Sequence, residues 1–161
     1  MESAQLQQAL DDVFDHALVY HAFTPYMRDY ELIIHVTADP VTGIQPEYLR
    51  YLFRFCVEAT TRSAVSAETW QVSRDERLIR YDTGKDLDGF VWGVNWQPLY
   101  PGFSIVPESA RARMWSEELG TDFHEVRLES NGHDITLVFA DLVVTRLDVG
   151  YTPFAVSDDD R

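Results

Sequence analysis

Two histidines in the first forty residues come closest to a metal-binding pattern. If the segments on either side of the loop at residues 24–27 pair as a hairpin, Val19 lies opposite Leu32 and His16 lies opposite His35. Histidines on adjacent strands are close enough for one metal ion to reach both rings. Zinc sites use three or four protein ligands, so two imidazoles are a weak signal. We therefore predict no metal site, and keep His16 and His35 only as a weak candidate pair.

Aromatic side chains recur along the segment from residue 90 to residue 103. Trp92, Trp96 and Tyr100 could line a concave sheet face that binds a sugar, a peptide or a loop of a partner. The same strand face could instead pack on the helix that carries Trp115. We favour this structural interpretation and keep the aromatic cleft as a candidate ligand-binding site.

The hairpin loop combines aromatic and charged side chains that local folding does not obviously require. Exposed loop aromatics beside an arginine suit protein recognition, so Tyr26, Arg28 and Asp29 are candidate partner-binding residues. A turn that Arg28 and Asp29 simply stabilise is an equally good explanation.

Sequence motifs of catalysis and cofactor binding are missing. The chain has no glycine-rich phosphate loop, nucleophile elbow, Cys-x-x-Cys or His-Glu-x-x-His. Cys56 alternates with aromatic residues and is interpreted as a small buried hydrophobe. We therefore predict no catalytic residue and no cofactor, and favour a non-enzymatic interaction protein. The alternative is a small-molecule binder or hydrolase that uses the aromatic cleft.

The charge of the chain limits its partners. Thirteen Lys and Arg face twenty-seven Asp and Glu, which gives a net charge of -14 over 161 residues. Binding to nucleic acid or to an anionic membrane is disfavoured, because both need basic side chains. A basic protein is the partner that this charge would favour, although the same charge also keeps a protein soluble. A single cysteine and the absence of an apolar leader predict a cytoplasmic, bacterial protein.

Residues 123–147 are the stretch with the clearest fold pattern. Asn131-Gly132 is a strong hairpin signal, because both residues tolerate the positive φ of a type I′ turn. A turn there pairs Val126 with Leu137 and Leu128 with Ile135 on one apolar face. A slip of one residue would exchange the polar and apolar faces, so we expect this register to be firm.

Other segments complete the predicted sheet. A second reversal at Ala140-Asp141 would pair Phe139 with Leu142 and make a three-stranded meander. Residues 48–61 alternate like one long strand, although a helix could begin after Pro46.

Helices are predicted at residues 4–14 and at 107–119, the second ended by Gly120. Together these elements predict an α+β fold in residues 1–150. We expect a single domain with a mostly antiparallel twisted sheet of six to eight strands and two or more helices packed on it. Residues 151–161 are predicted to be an acidic C-terminal tail.

Three segments carry a resemblance to a known family. These are HALVYHAFTPYMRDYELIIHVTADP, WGVNWQPLYPGF and HEVRLESN followed by LVFADL. The chain resembles the YxiG-like group of bacterial proteins over about residues 15–147. The resemblance brings no activity, cofactor or catalytic residue. It implies a small accessory protein of the kind found near bacterial toxin and immunity genes.

Overall fold

The computed structural model describes residues 3–36, 47–72 and 97–148. In these ranges the helices are α1 (Ser3–Asp11), α2 (Ala67–Val72) and α3 (Ala110–Leu119). The strands are β1 (Ala17–Phe23), β2 (Tyr30–Val36), β3 (Glu47–Arg54), β4 (Glu58–Ser63), β5 (Gln97–Pro98), β6 (Gly102–Ile105), β7 (His124–Glu129), β8 (His133–Phe139) and β9 (Asp141–Leu147). All strand pairs are antiparallel. The predicted α+β class is confirmed.

The strands form two sheets. The five-stranded sheet has the order β5-β1-β2-β3-β9, and the four-stranded sheet has the order β4-β8-β7-β6. Within the described ranges, eight strands have four residues or more, and β5 adds a two-residue edge. None of the helices in those ranges is long and apolar enough to cross a membrane.

The main core lies between the two sheets. Leu32 and Phe53 of the five-stranded sheet are fully buried in one cluster with Leu137 and Phe139 of the four-stranded sheet. Helix α1 adds Leu6 and Leu10 to this cluster, and Val13, two residues after the helix ends, also belongs to it. On the outer face of the four-stranded sheet, α3 covers a smaller apolar cluster of Ala112, Phe123, Val138 and Ala140.

The β7–β8 hairpin has the predicted register. Val126 lies opposite Leu137 and Leu128 lies opposite Ile135, and all four side chains are buried. The turn is held by Ser130, whose hydroxyl accepts from the backbone N–H of Gly132 at 3.2 Å and of His133 at 2.9 Å. The predicted reversal at Asn131-Gly132 is confirmed, but the predicted type I′ turn is wrong, because neither residue has a positive φ.

The third strand of the predicted meander is present as β9, but its predicted pairing with β8 is wrong. Strand β9 does not pair with β8; it pairs with β3 in the other sheet, where Leu142 lies opposite Phe53. The chain crosses between sheets at Ala140, whose N–H donates to the Arg54 carbonyl at 3.1 Å. The apolar side of β9 can be buried against either sheet, so its residue pattern did not identify its neighbour.

The long strand predicted at residues 48–61 is also wrong. It is divided into β3 and β4, which belong to different sheets. The break lies at Phe55, which has a φ of 51° and therefore leaves the extended conformation. The alternation continues through the break, which explains why the sequence resembled one strand. The alternative helix is wrong as well, because residues 47–54 are extended.

The first hairpin is present with a different register. A bulge between Leu18 and Tyr20 shifts the pairing, so His21 lies opposite Leu32 and Ala17 lies opposite His35. The predicted pairs of Val19 with Leu32 and of His16 with His35 are therefore wrong.

Both predicted helices are present. Helix α1 ends at Asp11, three residues earlier than expected. In α3, the Ser109 hydroxyl accepts from the Ala112 N–H at 3.1 Å and caps the N-terminus. Gly120 ends this helix with a φ of 64°, a conformation that glycine adopts without strain.

Candidate partner-binding groove

The groove begins at the place where the chain passes twice between the sheets. We call residues 55–57 together with Ala140 the sheet corner. There the Val57 N–H donates to the Val138 carbonyl at 2.9 Å, and the Ala140 N–H donates to the Arg54 carbonyl at 3.1 Å. The two crossings lie side by side, so the corner is fixed by hydrogen bonds to both sheets.

The tip of the β1–β2 hairpin is tied to this corner through Asp29. The buried Asp29 carboxylate accepts from the Phe55 N–H at 2.9 Å, the Arg28 Nε at 2.9 Å and the Tyr26 hydroxyl at 2.8 Å. The Cys56 N–H donates to the Arg28 carbonyl at 2.9 Å. These hydrogen bonds, led by that from Arg28, lower the pKa of Asp29 to about 2. Asp29 is therefore ionised at neutral pH and acts as a structural anchor.

Two large apolar residues beside this anchor are exposed in a left-handed backbone conformation. Met27 has a φ of 59° and is 78% exposed, and Phe55 has a φ of 51° and is 44% exposed. This conformation costs a residue with a side chain about 1 to 2 kcal/mol. The Arg28 guanidinium lies 4.6 Å from the centre of the Phe55 ring, which keeps the ring in a defined position. Folding alone does not explain why large apolar residues occupy these two positions.

Helix α3 forms the opposite wall of the groove. The Trp115 Nε1–H donates to Glu58 Oε1 of β4 at 2.8 Å, and the Arg111 guanidinium forms an ion pair with the same carboxylate. At the end of the helix, the Ser116 hydroxyl accepts from the Phe123 N–H at 2.9 Å. Leu119 in the last turn is 54% exposed and points its apolar surface towards the groove.

Between these walls lies an open, mostly apolar groove of about 600 Å³. Its lining consists of Met27, Arg28, Phe55, Cys56, Val57, Trp115, Leu119, Thr121, Phe123 and Ala140. Three acidic residues, Glu117, Glu118 and Asp122, are exposed on the segment from residue 115 to residue 123 that forms one wall. The lining itself is mostly apolar, and the segment that supplies this wall also carries negative charge.

The lining offers little for catalysis. Only Arg28 and Cys56 carry ionisable side chains among the residues that line it. Arg28 is already hydrogen-bonded to Asp29. Burial raises the pKa of the Cys56 thiol to about 12, so this thiol stays protonated and unreactive at neutral pH. The interpretation of Cys56 as a small buried hydrophobe agrees with this environment.

The three loop residues proposed from sequence meet at this groove in different roles. Tyr26 is 59% exposed and carries a hydroxyl bonded to Asp29. Arg28 lines the groove, whereas Asp29 is buried beneath it. Sequence reasoning missed Phe55, Leu119 and Trp115, which come from distant parts of the chain. Positive φ at Phe55 cannot be read from residue type.

The predicted aromatic cleft falls mostly outside the part of the chain that the structure describes. Trp92 and Trp96 lie outside the described residues, so the aromatic cleft stays a prediction. Tyr100 is 65% exposed, and its ring lies 5.8 Å from that of Phe14.

His16 lies one residue before β1 and is not the cross-strand partner of His35. Among the described residues, no cluster of three or more His, Cys, Asp or Glu could hold a metal ion. The His35 ring lies 4.9 Å from the ring of Tyr48, and His35 is close enough to His16 to contribute to the lowering of the pKa of His16, after the larger effect of burial.

A histidine cluster between the sheets was also missed. His21 Nδ1 lies 2.8 Å from the Tyr30 hydroxyl, and the His21 ring centre lies 5.3 Å from that of His133 in the other sheet. Burial, with a smaller contribution from His133, lowers the pKa of His21 to about 4. Burial also raises the pKa of Tyr30. No sequence pattern links residues 21 and 133, because the contact arises only from the packing of the sheets.

A family comparison covers this whole arrangement. The family model described as YxiG-like protein matches residues 2–157. The chain belongs to this family. The match includes both sheets, α3 and every residue of the groove, so the resemblance inferred from three segments is confirmed. No curated protein matches the chain.

Proposed function

We propose that this YxiG-like protein is a non-enzymatic interaction module that binds a basic protein partner through the groove at the sheet corner. The observation that carries the proposal is the pair of exposed apolar residues, Met27 and Phe55, held in strained backbone conformations beside an apolar groove. Strain at surface positions is common where function, rather than stability, selects the residue.

The dimensions of the groove support the binding of a protein segment. A groove of about 600 Å³ is large enough to take one or two apolar side chains of a partner. Aromatic and Met side chains are typical of the buried centre of protein interfaces. Phe55, Met27 and Leu119 would supply such a centre.

Charge supports a basic partner. Glu117, Glu118 and Asp122 are exposed on the segment that forms one wall of the groove, and the chain has a net charge of -14. Opposite potentials mainly accelerate association and improve selectivity, because desolvation offsets much of the pair energy. The partner segment would therefore carry an apolar anchor flanked by Lys or Arg.

A binding role also agrees with the lack of reactive groups in the groove. Its arginine is hydrogen-bonded to Asp29 and its thiol is protonated, so neither supports a nucleophile or a general base. We place this role in the cytoplasm, as an immunity-type or accessory protein. The alternative of an aromatic cleft depends on Trp92 and Trp96 and stays a prediction.

The test uses the wild type, groove variants and a matched control variant as bait to capture partner proteins from a lysate of the source organism at low salt. Asn tolerates the left-handed conformation, so Met27→Asn and Phe55→Asn should remove apolar contacts without destabilising the fold. Met114→Asn is the control, because Met114 is 45% exposed on α3 but does not line the groove. We expect a basic protein to be retained by the wild type and by the Met114 variant, and to be lost by the two groove variants.

A series of salt concentrations and a set of charge-removing substitutions test the electrostatic contribution to association. The association rate should fall between roughly 0.05 and 0.5 M salt, where the screening length shrinks from about 14 to about 4 Å. Glu117→Gln combined with Glu118→Gln should slow association more than Asp11→Asn combined with Asp12→Asn, which removes equal charge at the C-terminal end of α1. Failure to retain a basic partner, or equal retention by all variants, would refute the proposal.

A further inference from the structure

A second depression lies on the outer face of the four-stranded sheet, on the other side of α3 from the groove. It measures about 440 Å³ and is lined mainly by polar side chains. Strand pairing places Thr60, Thr136, Arg127 and Ser104 in one row across β4, β8, β7 and β6. Arg127 therefore lies near the middle of the sheet, with hydroxyl groups on both sides.

Arg127 differs from the other arginines of the described ranges. Those ranges contain eight arginines. Seven have a hydrogen-bond or ion-pair partner: Arg28 with Asp29, Arg50 with Glu31, Arg54 with Asp141, Arg62 with Asp134, Arg111 with Glu58, Arg113 with the Glu108 carbonyl, and Arg146 with Glu47. Arg127 is exposed and has no such partner within the described part of the chain. In so acidic a protein, an unpaired guanidinium in a depression is an unusual arrangement.

The neighbours of Arg127 on the same strand restrict what could bind there. Glu125 and Glu129 lie two positions before and after it, on the same face of β7. Glu125 accepts a hydrogen bond from the Ser109 hydroxyl, whereas Glu129 is exposed and has no partner among the described residues. The other arginines of the lining are already ion-paired, Arg62 with Asp134 and Arg111 with Glu58. Arg127 and Glu129 are therefore the charged groups left for a ligand, and one guanidinium flanked by carboxylates disfavours a dianion such as phosphate. These two groups favour a ligand that carries a positive and a negative group together.

We propose that this depression binds a small zwitterion of the α-amino acid type. The Arg127 guanidinium pairs with the ligand carboxylate, to which the Ser104 and Thr136 hydroxyls donate further hydrogen bonds. The Glu129 carboxylate accepts from the ligand ammonium. Residues two apart on a strand are about 7 Å apart, which suits two charges on one small molecule. This site is separate from the groove and does not depend on the proposed partner.

The test is a titration of the full-length protein with each of the twenty free amino acids. Binding is monitored by NMR through the backbone amide resonances of β6, β7 and β8. Acetate and inorganic phosphate serve as comparison probes. We expect at least one amino acid to bind saturably in the millimolar range or tighter. Acetate and phosphate should bind at least about tenfold more weakly, because each lacks one of the two charge-assisted contacts.

Variants identify the contacts. Arg127→Gln and Glu129→Gln should each weaken binding by about tenfold or more, whereas Arg146→Gln on β9 should leave binding unchanged. All three residues are exposed, so unfolding midpoints should stay close to that of the wild type. The proposal is overturned if no amino acid shifts these resonances, if phosphate binds as tightly as the best amino acid, or if Arg127→Gln binds like the wild type.

Discussion

Acid should destabilise the protein through His21, which lies between the sheets against Tyr30 and His133. The pKa of His21 is about 4 in the folded state, and an unfolded histidine has a value of 6.5. Between these values the unfolded state binds more protons. The free energy of unfolding therefore falls as pH decreases from 6.5 towards 4, and recovers as pH rises.

The magnitude follows from the size of the shift. A shift from 6.5 to about 4 corresponds to about 3 kcal/mol once the pH is below both values, at about 1.4 kcal/mol per pKa unit. The His21 ring is partly exposed, and solvent screening reduces this value, so we expect about 2 kcal/mol between about pH 7.5 and about pH 4.5. His133 and His16, whose pKa values are also lowered by burial, add to the wild-type slope.

The assay is urea unfolding at a series of pH values for the wild type and for His21→Gln. Glutamine can keep a hydrogen bond to Tyr30 but does not titrate, so the variant should lose about 2 kcal/mol of the pH dependence. His16→Gln is the matched control. Its effect should be smaller, because Asp15 raises the pKa of His16 and opposes the effect of burial. The reasoning fails if His21→Gln retains the wild-type slope, or if His16→Gln removes the larger part of it.

Three further predictions concern the core, the hairpin anchor and the thiol. Leu137→Ala should lower the free energy of unfolding by about 2 to 5 kcal/mol, since Leu137 is fully buried, whereas Thr136→Ala on the outer face should change it by less than about 0.5 kcal/mol; denaturant midpoints in the reverse order would contradict the assigned faces. Asp29→Asn should lower the free energy of unfolding by about 1 to 3 kcal/mol at neutral pH, because hydrogen bonds to the carboxylate are lost. The difference in unfolding free energy between this variant and the wild type should shrink as pH falls from 3.8 towards 2, where the native carboxylate becomes protonated. Cys56 should react with iodoacetamide only on unfolding, because its thiol is buried with a pKa of about 12; rapid alkylation of the native protein at neutral pH would show that the sheet corner opens.

Local signals in the sequence were sufficient for the β7–β8 hairpin and for α3. Asn131-Gly132 favours a chain reversal, and strict alternation on both sides leaves one register that buries all four apolar partners. Likewise, the side-chain hydroxyl of Ser109 and the left-handed conformation of Gly120 mark the two ends of α3. In each case the deciding interaction joins residues close in the chain.

The pairing of strands that are distant in the chain could not be predicted from the sequence. The apolar residues of β9 suit burial against β8 or β3 equally well, and a neighbouring strand is the default choice. The bulge in β1 and the positive φ of Phe55 have no residue signature, because glycine or asparagine, which would mark such positions, is absent there. The groove was only partly predicted for the same reason. Its hairpin residues were suggested by their types, whereas Phe55 and Leu119 reach it through the crossing of the chain between sheets.

Helix α3 connects the two surfaces for which we propose functions. Trp115 and Leu119 of this helix line the apolar groove, whereas Arg111 lines the polar depression. Of its residues only Ala112 is buried, and Trp115 packs on the same small apolar cluster. Glu58 of β4 also holds the helix, because it accepts from Trp115 and pairs with Arg111, which lie one turn apart. Since Trp115 lines the groove and Arg111 lines the depression, a displacement of α3 would alter both together.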